Sequence, residues 1–279
     1  MSISKTIFIT GVSSGFGRAI AYQALQAGHK VIGTVRKPED LKDFEAINKS
    51  RAFGRILDVR NTDDIKKVVA EVESTVGPVD VLINNAGYGH EGIMEESSME
   101  EIRHQFDVNV FGGIAMMKAV IPLMRQRRKG HILNITSMGG YITMPGISDY
   151  CGSKFAMVGI SESLSKELHP FNIYVTSVAP GSFRTDWAGR SMVRTPRKIA
   201  DYDELFDPIR RAREEKSGNQ LGDPIKAAHA ILNLLGSDSP PAHLILGSDA
   251  LELIREHLHR FNQDTTTWEA LTRSTDGGL

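Results

Sequence analysis

Short apolar runs alternate along this chain with longer stretches in which apolar residues recur at helical spacing. The apolar runs predict seven strands, which lie near residues 5–10, 30–35, 53–58, 79–84, 130–136, 173–179 and 243–246. The helical stretches lie near residues 16–27, 62–76, 99–127, 149–168 and 223–236. Predicted strands such as Val81-Leu82-Ile83 are apolar on both faces, which is typical of strands covered by helices on two sides. The alternation predicts an α/β fold with a doubly wound, mostly parallel seven-stranded sheet.

The length of the chain and the absence of repeats and linkers in its sequence predict a single domain. Its 279 residues lie in the upper range for one hydrophobic core, and no repeat or flexible linker separates a second domain. We assign residues 1–262 to this domain and residues 263–279 to a polar C-terminal tail. Residues 182–222 are dense in charge with interspersed apolar side chains, which predicts a helical excursion over the carboxyl edge of the sheet. Our hypothesis is that this excursion is a mobile substrate lid.

Composition indicates which partners and which cellular compartment to expect. A net charge of -1 gives no reason to expect nucleic acid or a membrane surface as a partner. The single cysteine, Cys151, excludes an intramolecular disulfide and favours a reducing compartment, and we interpret it as a small packed residue. The first apolar run begins at Thr6, which leaves no room for a signal peptide ahead of it. We expect a cytoplasmic protein, and we assign no metal site.

A glycine-rich turn joins the first predicted strand to the first predicted helix. Its glycines permit a tight turn, close approach of a pyrophosphate to the backbone, and close packing of helix on strand. The helix N-terminus then offers unpaired N–H groups to the phosphates. Any tight strand-to-helix turn could contain such glycines, but the position after the first strand favours a Rossmann-type nucleotide site. The candidate cofactor contacts in this turn are Gly11, Ser13, Ser14, Gly15, Phe16 and Gly17.

The residue after the second strand indicates which dinucleotide is bound. Arg36 and Lys37 follow Val35, and no carboxylate stands at this strand end. A carboxylate would bind the ribose hydroxyls of NAD, whereas an arginine accommodates the 2′-phosphate of NADP. Arg36 could also be an ordinary surface cation. Because a guanidinium matches a phosphate dianion in geometry and charge, we expect NADP(H) in preference to NAD(H).

Polar residues also follow the third and fourth strands. Asp58 and Val59 close the third strand, and the Asp58 carboxylate could accept a hydrogen bond from the adenine amino group. Asn84-Asn85-Ala86-Gly87 follows the fourth strand, where it could contact the adenosine side of a cofactor or serve only to fix a loop between strands. The candidate cofactor contacts here are Asp58, Val59, Asn85, Ala86 and Gly87.

Three residues near the fifth strand form a candidate catalytic group. Ser137 follows this strand, and Tyr150 and Lys154 stand four residues apart on a predicted helix, so that both point to one face. A nearby ammonium favours the phenolate and is expected to lower the pKa of Tyr150, which makes the tyrosine a usable general acid or base. The Ser137 hydroxyl could donate a hydrogen bond to a substrate oxygen that gains negative charge.

These motifs, in this order and spacing, resemble those of the short-chain dehydrogenase/reductase family, over about residues 5–250. Within the family, the stretches around Ser137 and Tyr150 are similar to those of hydroxysteroid and retinol dehydrogenases and of related bacterial oxidoreductases. The motifs that carry the resemblance are the glycine turn, Asn84–Gly87, Asn109, Ser137, Tyr150-x-x-x-Lys154 and Pro180-Gly181.

The resemblance implies a role for each matching residue. Tyr150 would protonate a carbonyl oxygen or deprotonate an alcohol, with Lys154 lowering its pKa and binding the nicotinamide ribose. Ser137 would position the substrate oxygen, and Asn109 would hold a water that relays protons to Lys154. The remaining implied cofactor contacts are Pro180, Gly181 and Thr185 at the nicotinamide and its phosphates, and Ser13 with Arg36 at the 2′-phosphate. The resemblance also implies a homodimer or homotetramer.

The substrate is expected to be a mainly apolar carbonyl compound or alcohol. Apolar residues after Ser137 and in the excursion, such as Met144, Trp187 and Met192, are available to line its pocket. The same stripe could instead only pack the excursion onto the body of the protein. Two other functions remain open: a regulator that senses NADPH without turning it over, and a lyase or epimerase that uses a bound cofactor transiently.

Overall fold

The computed structural model describes residues 4–187, 189 and 191–277. Seven strands form one sheet at the positions that the apolar runs predict. In chain order they are β1 (Thr6–Ile9), β2 (Lys30–Val35), β3 (Ala52–Ile56), β4 (Val81–Asn84), β6 (Gly130–Ile135), β7 (Ile173–Pro180) and β9 (His243–Leu246). Two three-residue strands, β5 (Gly89–Glu91) and β8 (Met192–Arg194), form a second small sheet that was not predicted.

The large sheet is parallel throughout, with the order β3-β2-β1-β4-β6-β7-β9. The order reverses direction between β1 and β4, which opens a crevice at the carboxyl ends of these strands. The strands that flank this crevice are buried on both faces, as in Ile7, Phe8 and Ile9 of β1. The predicted doubly wound, Rossmann-type α/β fold is confirmed.

Within the described residues, ten α-helices connect and cover the strands. They are α1 (Gly15–Gln26), α2 (Pro38–Glu45), α3 (Thr62–Thr75), α4 (Met99–Phe106), α5 (Gly112–Arg127), α6 (Ser148–Leu168), α7 (Asp203–Glu215), α8 (Pro224–Leu234), α9 (Ser248–Thr267) and α10 (Glu269–Arg273). The helices α2, α9 and α10 were not predicted. The predicted boundary between residues 262 and 263 lies inside α9.

The core has two halves, one on each face of the sheet. The helices α1 and α8 pack on one face through Ile20 and Ile231, and α3, α5 and α6 pack on the other through residues such as Val69 and Met117. Both halves are built from aliphatic side chains at helical spacing, which is why the sequence predicts these helices.

A turn of π-helix, Asp107–Phe111, joins α4 to α5. Such a turn inserts an extra residue into a helix and often marks a functional position. Here it contains Asn109, which is buried. The continuous stretch Met99–Arg127 is long and apolar enough, by length and composition only, to cross a membrane, but a core helix passes the same test.

Candidate active site

The glycine turn lies at the carboxyl end of β1 and leads into α1. Gly11 and Gly15 have φ angles of +73° and +56°, a left-handed conformation that glycine adopts without strain. A Cβ on Gly17 would lie 2.1 Å from the Gly11 carbonyl oxygen, so only glycine lets the helix approach the strand this closely. The N-cap residue Ser14 makes no side-chain capping bond, which leaves the first turn of α1 available to an anion. The turn therefore fits the pyrophosphate of a dinucleotide.

Asn85 fixes this turn from the end of β4. Its Nδ2 donates to the carbonyl oxygens of Thr10 (2.9 Å) and Gly11 (2.8 Å). The backbone N–H groups of Asn85 and Ala86 donate to Thr10 Oγ1, each at 3.0 Å. Asn85 therefore fixes this loop to the glycine turn, and Gly87 is exposed.

At the end of β2, Arg36 is exposed, and its charge acts on the nearby carboxylate of Asp58. Asp58 also accepts from Arg60, with 2.6 Å between Oδ2 and the guanidinium Nη2. The hydrogen bond from Arg60 is the largest effect on the pKa of Asp58, which lies below its usual value. The rim of the crevice thus has two guanidinium groups and one carboxylate, with the half-buried Ser13 in the glycine turn.

The Pro180-Gly181 turn stands at the end of β7, on the opposite side of the crevice. The Gly181 N–H donates to the Leu246 carbonyl (2.8 Å), and the next N–H, that of Ser182, donates to Asp249 Oδ2 (2.8 Å). Thr185 then lies over the glycine turn, since a Cβ on Gly15 would be 3.7 Å from the Cβ of Thr185. The segment after β7 therefore borders the glycine turn through Thr185.

Tyr150 lies in the first turn of α6 and is 5% exposed. Ser137, two residues after the end of β6, lies beside it and favours the Tyr150 phenolate, and its Oγ accepts from the Gly139 N–H at 3.0 Å. A Cβ on Gly139 would be 3.3 Å from Tyr150 Cε1 and 3.5 Å from Ser137 Oγ, so this glycine lets the two side chains approach each other.

Lys154 follows one helical turn later, and its Nζ lies 5.7 Å from the centre of the Tyr150 ring. The ammonium donates to the Ile135 carbonyl oxygen at 3.0 Å. Because burial disfavours the charged form, the pKa of Lys154 is lowered to about 8. The predicted arrangement of tyrosine and lysine on one helix face is present.

The prediction that Lys154 lowers the pKa of Tyr150 is wrong for the free protein. We expected the ammonium of Lys154 to lower it, but burial of the phenol is the largest effect and raises the pKa above its usual value. The two groups that oppose this rise are the neighbouring side chains of Ser137 and Trp187. Desolvation prevails here because the ring is almost fully buried, which the sequence does not reveal.

Asn109 is held by the loop that follows β4. Its Oδ1 accepts from the Tyr88 N–H (3.1 Å), and its Nδ2 donates to the Tyr88 carbonyl oxygen (3.0 Å). Beside it lies a small cavity of about 10 Å³, which is sufficient for one water molecule. Lys154 and Asn84 also line this cavity, and Asn84 Oδ1 is buried there without a partner among the residues that the structure describes. An acceptor of this kind suits an ordered water.

An apolar wall surrounds the phenol of Tyr150. Ile147 and Cys151 are buried with it, and Met144 and Trp187 pack against them. Burial raises the pKa of the Cys151 thiol, which agrees with its interpretation as a small packed residue. The excursion therefore reaches the candidate catalytic group through Trp187.

Two buried carboxylates, those of Glu91 and Glu96, hold the part of the excursion that follows Trp187, residues 192–215. We call this attachment the clasp. Glu91, in β5, pairs with Arg194 (Oε2 to Nε, 2.7 Å) and with Arg213. Glu96 accepts from Arg197 Nε (2.9 Å) and from the backbone N–H groups of residues 198 and 199. Both carboxylates are almost fully buried, so the attachment is shielded from solvent.

A further buried network, around His90, was missed by sequence reasoning. His90 Nδ1 lies 2.6 Å from Asp149 Oδ2, and its Nε2 lies 2.9 Å from Thr195 Oγ1. The Thr195 hydroxyl donates to Glu101 Oε1 at 3.2 Å. Because Thr195 donates its one hydroxyl proton to Glu101, it accepts from His90 Nε2, and the Asp149 carboxylate accepts from His90 Nδ1. Both ring nitrogens then carry protons, and His90 is an imidazolium. The partners of His90 lie 59 and 105 residues away, which leaves no local sequence signal.

Comparison with known proteins agrees with this geometry. A family model described as short chain dehydrogenase matches residues 5–194. A 3-ketodihydrosphingosine reductase of Bacteroides thetaiotaomicron is 39% identical over 244 residues, 87% of this chain and 88% of that protein. An NADPH-dependent 3-dehydrocapnine reductase of Ornithobacterium rhinotracheale is 32% identical over 78% of this chain and 79% of that protein. A crystal structure of a short-chain dehydrogenase from Streptomyces avermitilis has 40% identity and a TM-score of 0.92, with 99% of this chain and 100% of that chain covered.

The fold and the site together define an NAD(P)-dependent oxidoreductase. The chain belongs to the short-chain dehydrogenase family, as the ordered motifs of the sequence indicate.

Proposed function

We propose that this protein is an NADPH-dependent reductase that converts a mainly apolar ketone or aldehyde to the alcohol, or runs the reverse reaction. The observation that carries the proposal is the group formed by Tyr150, Ser137 and Lys154 at the carboxyl edge of the sheet, the edge at which the glycine turn also lies. A regulator that only senses NADPH would need no such group.

Each residue of this chain then has a distinct task. Bound NADPH supplies hydride to the substrate carbonyl carbon. The Tyr150 phenol donates its proton to the carbonyl oxygen, while the Ser137 hydroxyl donates a hydrogen bond to the same oxygen and holds it in place. Lys154 binds the nicotinamide ribose. Asn109 and the water-sized cavity beside Lys154 support the proton relay that restores the phenol.

The preference for NADPH rests on the guanidinium groups at the crevice rim. Arg36 and Ser13 are the proposed ligands of the 2′-phosphate, and Asp58, already engaged by Arg60, faces the adenine. The name of the 3-dehydrocapnine reductase relative specifies NADPH. Arg36→Asp is expected to weaken NADPH binding at least tenfold and to improve binding of NADH, since the charge pair with the 2′-phosphate would be lost and a ribose acceptor gained. Lys49→Asp, an equal charge change at an exposed turn, is the matched control.

The substrate assignment rests on the apolar wall of Met144, Ile147 and Trp187 around the phenol. The two reductase relatives suggest the first compounds to test, 3-ketodihydrosphingosine and 3-dehydrocapnine, beside retinoids, steroids and aromatic ketones. The lyase and epimerase alternatives predict no net consumption of NADPH with any of them.

We propose that the clasped part of the excursion, residues 192–215, acts as a fixed roof over the substrate and not as a mobile lid. The buried pairs of Glu91 and Glu96 with three arginines support this assignment. Limited proteolysis with and without NADPH tests it: cleavage within 192–215 is expected to be slow in both states. Cofactor-dependent protection of this segment would restore the lid hypothesis.

We propose a cytoplasmic homodimer or homotetramer. Met99 and Phe111 are 57% and 59% exposed on the long helix formed by α4 and α5, which supports burial against a second copy. Sedimentation of the wild type and of Phe111→Glu tests the assembly, because a charge at an apolar interface would dissociate it.

The decisive test of the reaction is the loss of NADPH absorbance with the carbonyl panel. Tyr150→Phe removes only the hydroxyl and is expected to reduce turnover by a factor of about 10² to 10⁴. Tyr22→Phe, an exposed tyrosine on α1, should match the wild type. A Tyr150→Phe variant as active as the wild type would overturn the catalytic assignment, and NADPH binding without turnover on any carbonyl would favour the sensor.

A further inference from the structure

Trp187 packs directly on the candidate proton donor. Its ring and that of Tyr150 have centroids 5.0 Å apart at an interplanar angle of 53°. On the other side, a Cβ on Gly89 would lie 3.0 Å from Trp187 Cε2, so the absence of a side chain there makes room for the indole. The ring is held between β5 and the phenol, which limits its freedom to rotate.

The indole nitrogen has an unusual environment. Nε1 of Trp187 is buried and has no hydrogen-bond partner within the described part of the chain. Its surroundings are the apolar side chains of Met144, Ile147 and Cys151. A buried N–H without an acceptor is costly, and in most proteins it is paired with protein or water. A donor kept unpaired beside a group that changes charge during a reaction is a candidate for transition-state stabilisation.

We propose that Trp187 is a further catalytic residue, whose indole N–H donates a hydrogen bond to the Tyr150 oxygen when that oxygen becomes a phenolate. In the reduction, the carbonyl carbon accepts hydride from NADPH, and the carbonyl oxygen accepts the phenol proton. The alcohol, NADP⁺ and the Tyr150 phenolate result, and the phenolate recovers a proton from solvent. The N–H thus gains a charged acceptor in the state that follows proton transfer.

The position of the Lys154 ammonium leaves hydrogen bonding of the Tyr150 phenolate to the indole. Lys154 Nζ donates a hydrogen bond to the Ile135 carbonyl oxygen and lies 5.7 Å from the centre of the Tyr150 ring. Trp187 and Ser137 are the two side chains near the phenol that lower the pKa of Tyr150 against the rise caused by burial. Ser137 is also needed at the substrate oxygen, whereas the Trp187 indole N–H has no hydrogen-bond acceptor among the described residues.

The test separates the N–H from the bulk of the ring. Trp187→Phe keeps an aromatic wall and removes the donor, whereas Trp187→His keeps an N–H in a smaller ring. Trp268→Phe changes the protein's other tryptophan, which is 61% exposed, and serves as the control. The readout is the pH dependence of kcat for alcohol oxidation, which requires the phenolate.

In Trp187→Phe, the apparent pKa of this profile is expected to rise by about one unit, equivalent to tenfold less phenolate at a given pH. Trp187→His should recover part of the shift, and Trp268→Phe should show none. An unchanged profile in Trp187→Phe, with only KM affected, would mean that the indole is merely an apolar wall and would overturn the proposal.

Since this inference rests on the proposed function, a second measurement avoids turnover. Once NADP⁺ binding has been shown directly, tyrosinate absorbance in the NADP⁺ complex is titrated, with Tyr150→Phe subtracted. A ring-fluorinated tryptophan, introduced into Trp268→Phe protein, makes the Trp187 N–H a stronger donor without a mutation at this position. It should move the Tyr150 titration to lower pH; a fixed titration would overturn the proposal even if the enzyme reduces carbonyls as proposed.

Discussion

Replacement of His90 by glutamine tests the buried network that joins the excursion to the catalytic helix. His90 is 0% exposed, with Asp149 at 2.6 Å and Thr195 at 2.9 Å. Glutamine can replace one of these two hydrogen bonds but carries no charge. Because Asp149 would lose its buried cation, we expect a loss of about 2–4 kcal/mol in the free energy of unfolding near pH 6.

The loss should depend on pH in a defined direction. Burial lowers the pKa of His90, but the hydrogen bond and charge of Asp149 and the charge of Glu101 outweigh burial, so the pKa lies above the usual 6.5. The folded protein therefore binds this proton more tightly than the unfolded chain does. The imidazolium contributes fully below about pH 6.5, and its contribution falls as pH rises through the folded-state pKa, by about 1.4 kcal/mol per unit within that window.

Urea unfolding of the wild type and of His90→Gln, measured near pH 6 and pH 9, gives the comparison. The difference between the two proteins should be larger at the lower pH. His229→Gln, at an exposed position on α8, should stay within about 0.5 kcal/mol of the wild type at both. A difference that is constant, or that grows with pH, would refute the assignment of His90 as an imidazolium.

His131 should behave in the opposite way, because burial lowers its pKa to about 4 and it is neutral in the folded protein. The wild type should lose stability as pH falls from about 6.5 towards 4, and denaturation of His131→Gln in acid should show a shallower loss; an equal slope would contradict the shift. Glu96→Gln weakens the contact with Arg197 and should cost about 1–3 kcal/mol in urea unfolding, with faster proteolysis of residues 192–215; unchanged proteolysis would argue against the clasp. Gly17→Ala places a methyl group against a backbone oxygen and should weaken NADPH binding, measured by calorimetry, and destabilise the fold by about 1–3 kcal/mol; wild-type binding would contradict the close helix–strand approach.

Periodicity and local spacing determine much of this protein. The strands β1 and β4 are apolar on both faces, and the spacing of Tyr150 and Lys154 suffices to place both on one side of α6. The glycine turn and its place after β1 are equally local features. By contrast, α2 was missed because only Phe44 of its eight residues is buried, so it has little apolar periodicity.

The tertiary structure alone decided the electrostatics of the site. The pKa of Tyr150 is raised because the folded chain encloses the phenol, and no spacing along the sequence measures that enclosure. The network of His90 and the clasp of Glu91 join residues about a hundred positions apart, and their charges are tolerated only because folding brings their partners within hydrogen-bond distance. Local preferences along a chain are set by neighbours in sequence, whereas desolvation and charge pairing depend on neighbours in space, which exist only once the chain has folded.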